Sequence, residues 1–282
     1  MLESPAKEVN SNAVKSNLEW QAWGAKDPLF GVIPKGGAER DGASPWTDEN
    51  FYETGRIDWN EFIERWTKYG LSKDSCLEIG CGAGRLTRSI GGDFSTVYGV
   101  DVSEGMIAYA RQHVGENVKL FITDGVSLPV PDQSVTAVFS VIVFLHFDSY
   151  EHAEAYFREV ARVLKPGGTI MIQLPLHRWP RNLKPFVERW LTSFHRGYMT
   201  LRRAKAAYHR FWLSRDRWSA FMQSNSYEET WLWQTLVPLG FRDIETSSFL
   251  SKRAGSVYSW VFARKAASSS IQRAIDRNLE SR

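Results

Sequence analysis

The sequence predicts an α/β fold in which helices cover both faces of a doubly wound, mostly parallel sheet. From Ser75 onward, short apolar segments alternate with helical segments of roughly ten to fifteen residues, the spacing of strands joined by crossover helices. A glycine-rich turn follows the first of these apolar segments, where open sheets of this class bind ligands. Hydrophobic residues make up 43% of the 282 residues, which is enough to bury a substantial core.

The alternating region is expected to hold seven strands and four helices. The expected strands are residues 76–79, 96–100, 118–122, 135–144, 169–174, 241–246 and 257–263. The expected helices are residues 85–90, 105–114, 150–164 and 227–239, and Pro166-Gly167-Gly168 stops the third of them. Because the last two strands follow each other without a helix, we expect an antiparallel hairpin at one edge of the sheet.

These elements divide the chain into five segments. The N-terminal segment is expected to be a helical cover with two short helices, one capped by Thr47 and one over Asp58–Tyr69. The others are a Rossmann-like core, an inserted basic and aromatic lid, the completion of the core and a polar tail. The five segments are residues 1–70, 71–175, 176–225, 226–264 and 265–282.

Composition excludes several classes of protein. Cys76 and Cys81 are too few for a disulfide framework and lack the spacing of zinc ligands. The first residues lack the apolar stretch of a signal peptide. The longest apolar run, Val135–Phe147, is shorter than the ~20 residues of a membrane helix. We therefore expect a soluble, cytoplasmic protein.

The most informative motif is Glu78-Ile79-Gly80-Cys81-Gly82-Ala83-Gly84. A glycine-rich turn between a strand and a helix lets the backbone approach a nucleotide-like ligand, because no Cβ atom intervenes. The dinucleotide fingerprint would need a glycine at position 85, where Arg85 stands, and this argues against a nicotinamide enzyme. Without further observations, a tight turn that binds no ligand remains an alternative.

Two carboxylates follow the next two strands. Asp101 ends the second strand, where its oxygens can accept hydrogen bonds from both hydroxyls of a ribose. Asp124-Gly125 follows the third strand, where the carboxylate can accept from an adenine amino group. A single Asp at a strand end is more often a turn residue or a helix cap. Glycines and carboxylates in register on three consecutive strands favour a nucleotide-like ligand.

These motifs resemble those of the class I S-adenosylmethionine-dependent methyltransferases, which are Rossmann-like, and of their types 11 and 25 in particular. The resembling residues are LEIGCGAGRLT (77–87), GVDVSEGMI (99–107), TDGVSLPVPDQS (123–134) and EVARVLKPGGTIMI (159–172), and GFRDIETSSF (240–249) resembles the closing hairpin. Val135-Thr136 replaces the family's usual Phe-Asp pair before the fourth strand. The resemblance implies the strand order 3-2-1-4-5-7-6 and S-adenosylmethionine as cofactor.

The resemblance also assigns roles to residues. Glu78 is expected to order the glycine turn, Asp101 to hold the ribose and Asp124 to bind the adenine amino group. The complete expected cofactor-binding set is Glu78, Gly80, Cys81, Gly82, Asp101, Val102, Met106, Asp124 and Gly125. In a subgroup with DPLF (27–30), the N-terminal segment covers the cofactor, which makes Phe51, Tyr52 and Arg56 candidates. The alternative for these three residues is an aromatic helix packed on the sheet.

His146 follows the fourth strand, which borders the transferred methyl group in the family. A hydroxyl acceptor must lose its proton during transfer, and an imidazole with a pKa near 6.5 suits that task at neutral pH. His146 is therefore the candidate catalytic residue. The alternative is that it packs at the strand end or positions the acceptor.

The segment 177–218 carries eleven Lys or Arg against two acidic residues, whereas the whole chain has a net charge of +3. Phe186, Trp190, Phe194 and Tyr198 recur every four residues, and five arginines recur every seven from Arg189 to Arg217. Such a segment can clamp an anionic acceptor, lie on anionic lipid or simply face solvent. Nucleic acid is disfavoured because the rest of the chain is acidic.

The favoured function is methyl transfer from S-adenosylmethionine to a hydroxyl oxygen of a small or lipid-like acceptor, and an anionic or lipid-linked acceptor is compatible with the basic segment. No metal is expected, because the sequence shows no carboxylate cluster beyond the cofactor residues. Two alternatives remain: a non-catalytic cofactor-binding scaffold, and a peripheral membrane or interaction protein that acts through 177–218. The oligomeric state is not predicted.

Overall fold

The computed structural model describes residues 15–33, 46–177, 225–250 and 257–267, in which seven strands form one sheet. The strands are β1 (Ser75–Ile79), β2 (Thr96–Asp101), β3 (Val118–Ile122), β4 (Val135–Ser140), β5 (Leu164–Leu174), β6 (Phe241–Leu250) and β7 (Val257–Lys265). Their order is β3-β2-β1-β4-β5-β7-β6. The first five strands are parallel, and β7 is antiparallel to both β5 and β6. The predicted sheet, strand order and edge hairpin are confirmed.

Seven α-helices accompany the sheet in these ranges. They are α1 (Lys15–Lys26), α2 (Pro28–Val32), α3 (Asp48–Tyr69), α4 (Thr87–Ile90), α5 (Glu104–Ala110), α6 (Tyr150–Val163) and α7 (Glu229–Leu236). A 3-10 turn spans Phe144–His146, and Leu176–His177 pairs with Tyr227–Glu228. In the part of the chain that the structure describes, no helix has both the length and the apolar character needed to cross a membrane. The structure describes only residues 176, 177 and 225 of the basic insertion 176–225, and the rest of that predicted segment lies outside the described residues.

The sheet separates two apolar layers. On one face, Tyr156, Phe157 and Val160 of α6 pack with Leu232 and Leu236 of α7 against the strands. On the other face, α3 packs against β4, β5 and β7 through a second cluster, which includes Trp59, Trp66, Phe139, Met171 and Trp260. Every residue of β1 is buried, as expected for a central parallel strand covered on both faces.

The Val135-Thr136 departure from the family pattern has a structural role at the entry of β4. The Thr136 hydroxyl oxygen accepts a hydrogen bond from the Ser75 N–H at 3.0 Å, and the Thr136 N–H donates to the Ser75 hydroxyl at 3.1 Å. These reciprocal bonds join the first residue of β1 to β4. They supply acceptors for the backbone N–H groups of both residues at the strand ends.

Several element bounds differ from the expectation. The two short N-terminal helices are one continuous helix, α3, because nothing between Thr47 and Tyr69 breaks it; the expected Thr47 cap is present, with its hydroxyl 3.3 Å from the Asn50 N–H. The fourth strand ends at Ser140 rather than residue 144, because the chain turns at Ile142, whose φ is +57°. Tyr227 pairs with Leu176 instead of beginning the last helix.

Gly55 allows α3 to approach the glycine turn closely. A Cβ atom at this position would lie 2.0 Å from the carbonyl oxygen of Arg85. That distance is far below any van der Waals contact, and the obstructing atom belongs to the backbone, so it cannot rotate away. The seating of α3 on the core therefore depends on the absence of a side chain at Gly55.

We predict that Gly55→Ala destabilises the protein by about 1–3 kcal/mol through this clash. A Gly-to-Ala change inside a helix ordinarily stabilises it by up to about 1 kcal/mol, so the expected effect has the opposite sign. Urea unfolding measures the change. Asn60→Ala, at an exposed position on the same helix, is the matched control and should stabilise slightly. Equal gains in both variants would contradict the close packing of α3.

Candidate functional site

A cavity of about 580 Å³ lies at the carboxyl ends of the central strands, and its volume is within the usual range for small-molecule sites. One wall is formed by the glycine turn and the end of β2. A second is formed by α1, α2 and Ile33, and a third by α3 with the ends of β4, β5 and β7. Its lining includes Ser16, Asn17, Trp20, Val32, Asp58, Phe62, Glu78, Gly80, Cys81, Gly82, Asp101, Val102, Met106, Thr123, His146, Gln173 and Tyr258.

The glycine turn is held open by left-handed backbone geometry. Gly80 and Gly82 have φ values of +72° and +52°, which favour glycine. A Cβ atom on Gly80 would lie 2.3 Å from Val143, and one on Gly82 would lie 2.7 Å from Val32. The N–H groups of Gly80 and Cys81 both donate to the Val100 carbonyl, at 2.8 and 3.0 Å. The turn is thereby fixed to β2 and leaves its surface to the cavity.

The Asp101 carboxylate connects this turn to α5. One oxygen accepts from the Gly82 N–H and the other from the Ser103 N–H, each at 2.9 Å. Burial raises the pKa of Asp101, while hydrogen bonds from the backbone of Ser103, Gly82 and Val102 oppose that rise. A carboxylate has about four acceptor positions, so both oxygens can accept a further bond from a ligand.

The Glu78 carboxylate bridges the turn on its other side. It accepts a hydrogen bond from the Thr87 hydroxyl at 2.6 Å, which links the end of β1 to the first residue of α4. Burial raises the pKa of Glu78 to about 8, and the nearby Arg85 lowers it only in part. Arg85 is itself buried and forms an ion pair with Asp58 of α3 at 2.6 Å.

The N-terminal helices cover the cavity. The Asn17 amide donates to the Asp124 carbonyl at 2.8 Å, and the Trp20 ring meets His146 edge to face at 5.1 Å. Asp27 caps α2 by accepting from the Phe30 N–H at 3.0 Å. The predicted cover by the segment around DPLF is therefore formed by α1 and α2.

A comparison with known protein families agrees with the resemblance seen in the sequence motifs. Residues 77–172 match the family described as "Methyltransferase domain". The glycine turn and Asp101 lie within this range, and so do strands β2, β3 and β4. Residues 77–172 form a methyltransferase domain of the class I, S-adenosylmethionine-dependent type.

Curated relatives share this domain and not their whole length. Malonyl-[acyl-carrier protein] O-methyltransferase of Hahella chejuensis is 34% identical over 108 residues, which are 36% of this chain and 38% of that protein. Demethylmenaquinone methyltransferase of Tropheryma whipplei is 30% identical over 128 residues, which are 45% of this chain and 48% of that protein. The chain thus spans less than half the length of either relative.

A solved structure supports the fold. Magnesium protoporphyrin IX methyltransferase of Synechocystis superposes with a TM-score of 0.55 at 15% identity, over 89% of this chain and 100% of that one. At this identity the likeness extends to the fold of the methyltransferase domain and not to its substrate.

The residues of the methyltransferase domain fit S-adenosylmethionine. Most of the predicted cofactor residues line the cavity: Glu78, Gly80, Cys81, Gly82, Asp101, Val102 and Met106. Val143 and Val32 leave no room for a side chain at Gly80 and Gly82, so the bare backbone of the turn faces the cavity, and Asp101 offers acceptors to ribose hydroxyls. Their individual roles stay predictions.

Asp124 and Gly125 do not line the cavity. Asp124 is exposed, and one carboxylate oxygen accepts from the Val126 and Ser127 N–H groups at 2.8 and 2.7 Å. Burial raises the pKa of Asp124, but these bonds outweigh it and the pKa is lowered overall. The Gly125 carbonyl accepts from His152 Nε2 at 2.6 Å. In this arrangement Asp124 caps its own turn, and its contact with adenine stays a prediction.

Phe51, Tyr52 and Arg56 do not line the cavity either. Phe51 and Tyr52 are buried behind the glycine turn, where the Tyr52 hydroxyl donates to the Ala83 carbonyl at 2.8 Å. Arg56 is exposed and pairs with Glu53 at 2.6 Å. Their direct contact with the cofactor is not supported, and the alternative of an aromatic helix packed on the core fits the structure.

The structure adds residues to the site that the sequence did not indicate. Ser16, Asn17 and Trp20 reach it through the packing of α1. Asp58, Phe62, Gln173 and Tyr258 reach it on the α3 side, where they are separated from the glycine turn by long stretches of sequence. His146, the candidate catalytic residue, is buried and does line the cavity. The described residues contain no group of three or more His, Cys, Asp or Glu placed to hold a metal ion.

We predict that Asp101→Asn weakens binding of S-adenosylmethionine by about ten- to a hundredfold. The change removes one acceptor from a buried set of bonds, which costs about 1–3 kcal/mol. Calorimetric titration measures the affinity. Asp132→Asn, at an exposed position outside the cavity, is the control. Unchanged affinity in Asp101→Asn would refute the assignment, and Asp124→Asn in the same series tests the predicted adenine contact.

We predict a pH-dependent difference in stability between the wild type and Glu78→Gln. Because the folded protein raises the Glu78 pKa from 4.5 to about 8, the unfolded chain loses this proton first. The resulting stability is complete below about pH 4.5 and is lost as pH rises toward 8, by up to about 1.4 kcal/mol per pH unit. Glutamine keeps an acceptor for Thr87 and removes the titration.

Urea unfolding of both proteins across this pH range measures the difference. The wild type should lose stability relative to Glu78→Gln as the pH rises. Glu116→Gln, at an exposed position, should track the wild type. Parallel profiles for the wild type and Glu78→Gln would show that burial does not hold the proton on Glu78.

Proposed function

We propose that the protein transfers a methyl group from S-adenosylmethionine to a hydroxyl oxygen of a small or lipid-like acceptor. The observation that carries this proposal is the single cavity in which the glycine turn, Asp101 and His146 meet. The relative from Hahella chejuensis is named as an O-methyltransferase, which agrees with an oxygen acceptor.

S-adenosylmethionine supplies an electrophilic methyl group on a sulfonium, and transfer is an in-line displacement in which positioning contributes most of the rate. The glycine turn and Asp101, at the ends of β1 and β2, would hold the methionine and nucleoside portions of this cofactor. Val141–Val143 and His146 border the space beyond the end of β4. The acceptor hydroxyl occupies that space, with Trp20 and α1 closing it against water.

His146 is proposed to take the proton from the acceptor hydroxyl. Its ring is buried at the cavity wall and is oriented by the edge-to-face contact with Trp20. A positioned imidazole can accelerate such a reaction by about a hundred- to ten-thousandfold. An amine acceptor that is already neutral needs no base, so dependence on His146 also discriminates between oxygen and nitrogen acceptors.

The test uses S-adenosylmethionine with a labelled methyl group and a panel of apolar alcohols, phenols and amines. We expect label in the hydroxyl compounds, and a loss of turnover by about a hundredfold or more in His146→Ala with little change in cofactor affinity. His113→Ala, which lies outside the cavity, is the control. Full turnover in His146→Ala would reject the base. Transfer to amines alone would reject the oxygen acceptor.

A further inference from the structure

One buried polar group in the cavity wall has no partner. In the described residues, Gln173 is 5% exposed and lines the cavity, and its Oε1 makes no hydrogen bond. Buried polar atoms in folded proteins are nearly always paired, so an unpaired one calls for an explanation. A half-turn of the carboxamide exchanges its oxygen and nitrogen, so this group can offer either an acceptor or a donor to a ligand.

Gln173 lies on the α3 face of the sheet, the face to which Met171 and Trp260 also belong. Gln173 is opposite Trp260 on β7, and Trp260 contacts Phe62 of α3 with ring centroids 4.8 Å apart. Side chains two residues apart on a strand share a face, so Tyr258 lies on the same face as Trp260. Phe62, Tyr258 and Gln173 therefore line one part of the cavity, which we call the α3 pocket.

The α3 pocket is apolar and carries little net charge. Its charged neighbours, Asp58 and Arg85, neutralise each other in an ion pair. Burial keeps Glu78 largely protonated at neutral pH, since its pKa is raised to about 8. Aromatic walls with one carboxamide suit an uncharged ring compound with a single polar group, since most of its surface loses contact with water there.

We propose that the Gln173 carboxamide binds the hydroxyl of an uncharged, ring-containing acceptor in the α3 pocket. This inference rests on the proposed function in taking the occupant of the pocket to be the methyl acceptor. It adds the class of acceptor and the residue that recognises it. Gln173 is an acceptor-binding residue in this scheme, and His146 handles the proton.

The test measures binding, so it does not depend on turnover. The protein is saturated with S-adenosylhomocysteine and titrated calorimetrically with 2-naphthol and, separately, with 2-methoxynaphthalene, which lacks the hydroxyl donor. The wild type should bind 2-naphthol at least about tenfold more tightly, as expected for one hydrogen bond in a buried site. In Gln173→Leu the two compounds should bind with about equal affinity, while the affinity for S-adenosylhomocysteine is unchanged.

Thermal unfolding separates recognition from a structural role. Since Gln173 Oε1 has no partner to lose, Gln173→Leu should melt at the same temperature as the wild type or higher. The exposed Gln112→Leu is the control and should keep the naphthol preference. A preference retained in Gln173→Leu, no binding of either compound to the wild type, or a lower melting temperature in Gln173→Leu would each overturn the inference. If the preference holds but labelled methyl never reaches any hydroxyl, the proposed function fails and the binding role stands.

Discussion

The site depends on one buried carboxylate that holds two backbone turns together. Asp101 accepts from Gly82 in the glycine turn and from Ser103 before α5, and so connects β1, β2 and α5 at one point. Burial works against its charge and raises its pKa, and the N–H donors offset only part of that cost. The bond to Asp101 thus fixes the backbone at Gly82, whose φ of +52° is left-handed.

Helix α3 packs on the same glycine turn through close backbone contact. Gly55 lets α3 approach the carbonyl of Arg85, and the Tyr52 hydroxyl donates to the carbonyl of Ala83 in the glycine turn. The ion pair between Asp58 and Arg85 adds a charged link that is largely removed from water. Such a pair is costly to break because it would leave one charge buried without its partner. The glycine turn is therefore fixed by Asp101 of β2 and, separately, by the contacts of α3.

Sequence reasoning succeeded where the signal is local. The alternation of strands and helices predicted the sheet, and the spacing from Gly80 to Asp101 predicted residues that now line one cavity. It was wrong in dividing α3 into two short helices, because the helix that Thr47 caps continues without a break to Tyr69. Gly55, inside this helix, serves a contact 30 residues away. Gln173 and Tyr258 could not be predicted, since a polar residue in an apolar strand carries no mark of which cavity it faces. Trp20 likewise reaches His146 only through tertiary packing.

The residues that line the cavity lie partly inside and partly outside the range that matches the methyltransferase domain family. The residues that match the methyltransferase domain family end at 172, one position before Gln173. Asp58, Phe62 and Tyr258 also lie outside that range, whereas Gly80, Gly82 and Asp101 lie inside it. Relatives named for malonyl-[acyl-carrier protein] and for demethylmenaquinone match this chain over less than half of their own length. The candidate cofactor residues thus come from one continuous region, and the α3 pocket adds residues from before and after it. Asp58 joins the two parts of the cavity through its ion pair with Arg85, so a change there would also act on the glycine turn.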